Sequence, residues 1–211
     1  MIIAIDGPAA AGKGTLARQL AEYLDLAYLD TGLIYRAVGK KVISSGGAPE
    51  DVTTSEAAAY SLCPEDLVAD GLRTDEFATA ASKVSAVPGV RAALLDFQRG
   101  FAACPPDGKI GAVLDGRDIG TVVCPTADYK LFVTASIDVR AQRRVKELQD
   151  RGLEAIYARV FEDMGERDAR DRQRASSPLV PASDAHTLDT TALTVEQVFE
   201  AALEIISSSK A

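Results

Sequence analysis

Two hydrophobic rhythms alternate along this chain. Met1-Ile2-Ile3-Ala4-Ile5 is a short apolar, β-branched run of the kind that forms a buried parallel strand; after Thr15 the period turns helical, with Leu16, Ala17, Leu20, Ala21 and Leu24 on one face. Asp25 to Leu29 predicts a second strand, and Leu33, Ala37, Val38 and Val42 resume helical spacing. Between Gly46 and Leu72 the rhythm lapses, leaving a capping box of Thr53 with Glu56 before a short alanine-rich helix, which reads as a surface insertion. Helical spacing returns from Arg73-Thr74 past Ser82. A stronger helix begins at Pro88, with Val90, Leu94, Phe97 and Phe101 along its buried side. Strands are then predicted at Ile110 to Leu114 and Lys130 to Thr134. Ser136 caps a helix from Ile137 toward Asp150 that Gly152 stops. A polar helical stretch from Glu154 to Arg174 is anchored by Ile156, Val160, Phe161 and Met164. His186 to Leu188 predicts the last strand, and Thr194 with Gln197 caps a closing helix. Strands alternating with helices predict one α/β domain over residues 1–211, a parallel sheet with helices on both faces.

The turn joining the first strand to the first helix reads Gly7-Pro8-Ala9-Ala10-Ala11-Gly12-Lys13-Gly14-Thr15. Gly-x-x-x-x-Gly-Lys in that context predicts a phosphate-binding loop, because glycine lets the backbone curl, successive N–H groups point at an anion, and Lys13 reaches terminal phosphates. The usual motif places Ser or Thr directly after the lysine to hold magnesium. Here Gly14 stands there, and the hydroxyl arrives one place later at Thr15. The Gly-Lys-Gly-Thr ending resembles nucleoside monophosphate kinases, which implies transfer of a phosphoryl group from a nucleoside triphosphate to a small acceptor.

Composition narrows the partners. A net charge of −8 excludes a general polyanion binder and leaves room for a local positive pocket. Cys63, Cys104 and Cys124 fall in no ligand or disulfide spacing and predict reduced thiols. With a core strand at the N-terminus and no run of membrane-spanning length, the expectation is a cytoplasmic protein that binds neither nucleic acid nor membrane.

Polar residues gather where parallel strands end, the edge at which such sheets bind ligands. Asp30, Thr31, Tyr35 and Arg36 follow the second strand; Thr31 suits helix capping and ligand contact equally, while Arg36 suits an acceptor phosphate. Asp115-Gly116-Arg117-Asp118 follows the third. Asp30 and Asp115 are placed to orient water on a metal beside Thr15. Arg167, Arg170, Asp171 and Arg174 lie three or four apart on one helical face. A solvated face laced with ion pairs fits that spacing, as does a set of forked cations for a transferred phosphoryl group. His186, the lone histidine, has no partner acid or nucleophile in sequence and reads as structural.

Together these pieces resemble the bacterial cytidylate (CMP) kinases: Ile5-Asp6-Gly7-Pro8 through Thr15, Leu29-Asp30-Thr31-Gly32 with Ile34-Tyr35-Arg36, Ala81-Ser82-Lys83-Val84 with Val90-Arg91, Asp115 to Asp118, and Glu166 to Arg174 before Pro178-Leu179-Val180-Pro181. The resemblance implies a P-loop NTPase fold with an insertion that binds the nucleoside monophosphate, here over 46–72, and an arginine-rich lid over 152–180. It implies ATP-magnesium as phosphoryl donor and CMP or dCMP as acceptor. It further implies that Ser82, Arg91 and Asp118 contact the cytosine and that Arg36 and Arg117 hold the CMP phosphate. Thr31 and Tyr35 would line the acceptor site, Arg167, Asp171 and Arg174 would reach it from the lid, and Arg170 would lie nearer the transferred group. Lys13, Arg117, Arg167, Arg170 and Arg174 would then be the catalytic cations. Relatives usually carry a longer insertion with a small antiparallel sheet, whereas Leu62 to Leu72 has little strand pattern. A monomer is expected. Two rivals share the loop: a kinase for another small acceptor, such as a different monophosphate or shikimate, and a nucleotide-dependent switch.

Overall fold

The computed structural model describes residues 1–208. Five strands, β1 (Ile2–Asp6), β2 (Ala27–Asp30), β3 (Ala112–Gly116), β4 (Tyr129–Thr134) and β5 (His186–Asp189), form one sheet in the order β2-β3-β1-β4-β5. All four pairings are parallel. β1 lies at the centre, and its apolar run faces both ways. Ile3 and Ile5 pack with Leu131 and Val133 against α1 (Lys13–Tyr23) and α9 (Val195–Ser208), while Ile2 and Ala4 join Leu114 and Ile119 on the other face.

That second face is covered by α6 (Pro88–Ala103). Beside it, α2 (Thr31–Ser44), α3 (Val52–Tyr60) and α5 (Asp75–Val84) bury a further apolar cluster centred on Ile34, Val38, Val42, Val84 and Val90. Within the 46–72 segment lie α3 and the single turn α4 (Pro64–Leu67), with no strand among the described residues. Lys41 donates to the Ser61 carbonyl and Asp66, and Lys40 to the Asp70 carbonyl, so α2 holds this segment down. The remaining helices, α7 (Ile137–Asp150) and α8 (Tyr157–Gln173), pack together beyond β4.

Several expectations shift. β3 runs two residues later than Ile110 to Leu114, because parallel register pairs Ile2 with Ala112 and Asp6 with Gly116; Ile110 is left exposed, and Asp115 and Gly116 become buried strand residues. β2 starts at Ala27, since Asp25 turns with φ +55. Asp51, not Thr53, caps α3, its carboxylate accepting from Thr54 N at 2.7 Å. Ile156 is exposed at the cap of α8 and anchors nothing. Phe97 is also exposed rather than core, and Phe101 is partly buried. α6 turns Arg91, Leu94, Gln98 and Ala102 inward, and Gln98 is accommodated there by donating to the Leu94 carbonyl. The capping residues Ser136, Thr194 and Gln197 act as expected.

Candidate active site

The phosphate loop begins where β1 ends. Gly7 takes φ +144, and a Cβ there would collide with the Val133 carbonyl, so this position needs glycine. Gly12, at φ +94, is the N-cap of α1 and offers no capping side chain, which leaves the first N–H groups of the helix open to an anion. Lys13 is buried beneath, with Nζ donating to the Pro8 carbonyl at 2.8 Å across the loop. Burial, with Arg117 and Arg167 nearby, pushes this ammonium down to about 7. Ala9, Ala10, Gly12, Lys13, Gly14 and Thr15 line a cavity of about 930 Å³, while Gly7, Pro8 and Ala11 form the back of the loop. Thr15 is exposed on the first turn.

Arginines close the far side of that cavity: Arg36, Arg117, Arg144, Arg167 and Arg170. Arg36 donates to the Leu72 and Thr74 carbonyls at 3.0 and 2.9 Å, and burial lowers it to about 10. Arg167, from α8, is lowered to about 9, first by burial and then by Arg117, and its buried Nε has no partner. Arg170 reaches Ser82 Oγ at 3.4 Å and pairs with Glu166.

A smaller cavity of about 50 Å³ adjoins, lined by Thr31, Tyr35, Ser82, Arg91, Arg117, Asp118, Arg167, Asp171 and Arg174. Its polar groups are engaged with one another. Arg91 is ion-paired with Asp118 and lies 5.3 Å over the Tyr35 ring, whose hydroxyl burial raises above its ordinary value. Arg117 Nε donates to Asp171 at 3.2 Å, and Arg174 donates to Ser85 Oγ and the Ser177 carbonyl. The paired arginines hold Asp171 below the ordinary carboxylate range despite its burial. Nε of Arg91 and of Arg174 are buried without partners, so this pocket has donors to spare. Thr31 donates to the Asp115 carbonyl, joining the start of α2 to β3, and Asp30 caps α2 through Leu33 N. Thr31, for which capping and ligand contact are both open in sequence, does not cap α2; Asp30 does. Arg117 and Arg167 line both cavities, so the two spaces meet at two guanidiniums.

The sequence profile of the cytidylate kinases matches residues 3–208. The chain belongs to the cytidylate kinase family. It is 66% identical over 209 residues to the cytidylate kinase of Paramagnetospirillum magneticum, covering 99% of each chain. To that of Rhodospirillum rubrum it is 58% identical over 207 residues, covering 98% of this chain and 97% of that one. Among solved structures, an uncharacterised protein from Eubacterium ventriosum aligns with TM-score 0.58 at 13% identity over 99% of both chains. The shikimate kinase of Bacteroides thetaiotaomicron aligns with TM-score 0.52 at 12% identity over 98% of both. Both likenesses are of fold alone; this chain has the P-loop kinase fold, a parallel sheet flanked by helices.

The metal-related residues of this cytidylate kinase family member are partly committed. Asp30 Oδ2 pairs with Arg73 at 3.0 Å. Asp115 is buried, raised by that burial, and accepts from the Tyr28 hydroxyl at 3.3 Å. Among the described residues no group of three or more His, Cys, Asp or Glu is built to hold a cation by itself. A Cβ on Gly14 would stand 3.1 Å from Asp115 Oδ2, so the glycine keeps space open in front of that carboxylate. Such a donor set suits magnesium, which retains water and is held by one or two carboxylates plus phosphate.

Three further residues in and around these cavities, Asp6, Arg140 and Arg144, receive no role from sequence. Asp6, just before the loop, accepts from Ile119 N and Gly120 N at 2.8 and 2.7 Å, and burial raises it to about 6. Arg140 of α7 forms a buried two-pronged pair with Asp168 of α8 and donates to the Ala135 and Ala9 carbonyls. Arg144 of α7 pairs with Asp75 and Glu147 at the cavity mouth. Asp6 was signalled by its place beside the glycine motif. Arg140 carried no signal, since one arginine on a polar helix looks like any other. His186 is exposed at the sheet edge, and all three cysteines are free, with Cys124 buried.

Proposed function

We propose that this chain catalyses ATP-dependent phosphorylation of CMP, and of dCMP, to the corresponding diphosphate. The observation that carries this reading is that Arg117 and Arg167 line both the large cavity above the phosphate loop and the small cavity beside it. A phosphoryl group crossing between two nucleotides would pass between those guanidiniums.

In this reading the triphosphate lies on the loop backbone from Gly7 to Thr15, and Lys13 gives up the Pro8 carbonyl for the terminal phosphates. The acceptor sits in the small cavity. Its phosphate meets Arg117 and Arg36, its sugar meets Asp171 and Arg174, and Tyr35 and Thr31 form the wall. Asp118 accepts from the exocyclic amine of cytosine while Arg91 and Ser82 serve the ring acceptors. Uracil presents a carbonyl where the amine would be, and a buried carboxylate rejects it. No general base is required, because a phosphate monoester with a second pKa of about 6 is already largely dianionic at neutral pH. Catalysis then consists of positioning and charge stabilisation by Lys13, Arg117, Arg167, Arg170 and Arg174. Magnesium would be held near Asp115 and Asp30, through water, with Thr15 at the edge, and it would supply charge neutralisation on the phosphates.

The 46–72 segment is read as a shortened cover for the acceptor and 152–180 as the lid. No helix among the described residues is long and apolar enough to cross a membrane. The protein is taken to act in the cytoplasm as a monomer, without nucleic acid.

The test is ADP release from ATP-magnesium with CMP, dCMP, UMP, AMP, shikimate or no acceptor. Release with CMP and dCMP alone is expected. Comparable release with UMP or AMP would keep the kinase and remove the base-reading roles, and release independent of any acceptor would favour a nucleotide switch.

A further inference from the structure

Asp118 occupies the N-cap position of a π-helical turn, Ile119–Val123. Its carbonyl accepts from Val122 N and Val123 N at 2.9 and 3.1 Å, so it opens that turn in the ordinary way. An aspartate at such a position usually folds its own carboxylate back onto an N–H of the turn. Asp118 does not: its side chain makes no capping bond and is ion-paired with Arg91 in the small cavity instead. The N–H groups of Ile119 and Gly120 donate to the two oxygens of Asp6, on the adjacent strand β1. Gly120 suits this close approach, since a Cβ there would stand 3.4 Å from Asp6 Oδ2 and 3.2 Å from the Lys130 side chain.

We propose that Asp6 is a positioning residue for base recognition: it caps the turn from a neighbouring strand and thereby frees the Asp118 carboxylate to face the nucleobase. The inference rests on the assignment of Asp118 to the acceptor's base. Two buried N–H groups need two acceptor oxygens, which a carboxylate has. Asparagine has one, and would set an amide donor against the other N–H. Without Asp6, Ile119 N and Gly120 N lose their acceptors in a buried site. The usual acceptor for such N–H groups is the carboxylate of the N-cap residue, here Asp118, which could serve the turn only by leaving Arg91 and the base edge. Because Asp6 also ends the strand that enters the phosphate loop, one carboxylate anchors the donor loop and the base-reading turn together.

The experiment compares kcat/KM for CMP with kcat/KM for UMP in the unmodified chain, Asp6→Asn, Asp118→Ala and the double variant. Each single change is expected to lower the CMP:UMP ratio by about tenfold or more. The double variant is expected to lie no lower than Asp118→Ala alone, since both act through one carboxylate. A merely structural Asp6 would slow both acceptors equally and leave the ratio unchanged, which overturns the proposal. So would an additive fall in the double variant. If Asp118→Ala itself leaves the ratio unchanged, the base assignment fails and this inference with it, a result distinct from the other two. Should Asp6→Asn not fold, amide hydrogen exchange on the unmodified chain decides. Saturating CMP is expected to slow exchange at Ile119 and Gly120 about tenfold more than saturating UMP, and equal protection overturns the proposal.

Discussion

The two cavities differ in how they are prepared for their ligands. Above the phosphate loop the space is large, about 930 Å³, and its floor is backbone: the curl set by Gly7 and Gly12 and the uncapped start of α1. The neighbouring space is about 50 Å³, and its walls are side chains that already bind one another, Arg91 with Asp118 and Arg117 with Asp171. A floor of main-chain N–H groups costs little to keep open, because water satisfies it until an anion arrives. An ion pair broken in a buried wall is costly, so on the proposed reading the acceptor would exchange partners with Arg91–Asp118 and Arg117–Asp171. On the proposed reading, the difference teaches that affinity for phosphate is written into backbone shape, while choice of acceptor is written into ion pairs that a substrate would reorganise.

Breaking the donor side should have the largest effect. Lys13→Met is expected to cut turnover about a thousandfold with the melting temperature little changed, measured by coupled ADP release and a thermal scan. A loss of less than tenfold would remove Lys13 from the reacting phosphates. Next is the junction. Arg170→Ala is expected to lower kcat about a hundredfold and to change KM for CMP far less; equal losses in both would mean that the residue binds rather than stabilises the transferring group.

Asp6, between the two regions, gives a pH-dependent contrast. Its pKa rises from 3.8 to about 6 on folding. A carboxyl raised in this way contributes stability that is full below its unfolded value and is lost as pH rises through the folded one. The stability of the unmodified chain relative to Asp6→Asn should therefore fall by about 2 kcal/mol between pH 4 and pH 7. Urea titrations across that range would test it, and a flat difference would show that the carboxyl is not raised. The smallest effect is expected on the acceptor side. Ser82→Ala should raise KM for CMP about fivefold and leave KM for ATP alone, since one neutral hydrogen bond is at stake. A matching rise for ATP would dissolve the distinction between the cavities.

Legibility in sequence follows the same division. The phosphate loop is continuous, so strand, glycines, lysine and helix can be read in one pass from Met1 to Leu24. The parallel sheet follows from apolar runs alternating with helical ones. What depends on partners distant in sequence is harder. β3 slides by two residues because β1 fixes its register. Phe97 faces outward because α6 turns Arg91, Leu94 and Gln98 inward, and no hydrophobic count foresees that. The arginines of α8 are visible as one helical face, yet only the fold brings Arg167 and Arg170 to the same cavity as Arg117 and Lys13. The thin strand pattern of Leu62 to Leu72 is matched by α4 and turns.

The pair between Arg140 and Asp168 bears on how α8 can move. Arg140 is held at once by the Ala135 carbonyl at the start of α7 and by the Ala9 carbonyl in the phosphate loop, and it grips both oxygens of Asp168. A rod fastened near one end can tilt about its fastening but cannot slide along its own axis. Tyr157 lies eleven residues before Asp168 on α8, a lever arm of about 16 Å at 1.5 Å per residue. A tilt of about 20° would carry that end through about 6 Å while leaving Arg167 and Asp171, beside the fastening, almost where they stand. Such a tilt would have to part the Tyr157 hydroxyl from Asp138 of α7 and loosen the packing of α8 on α7, while the guanidiniums at the junction would keep their aim.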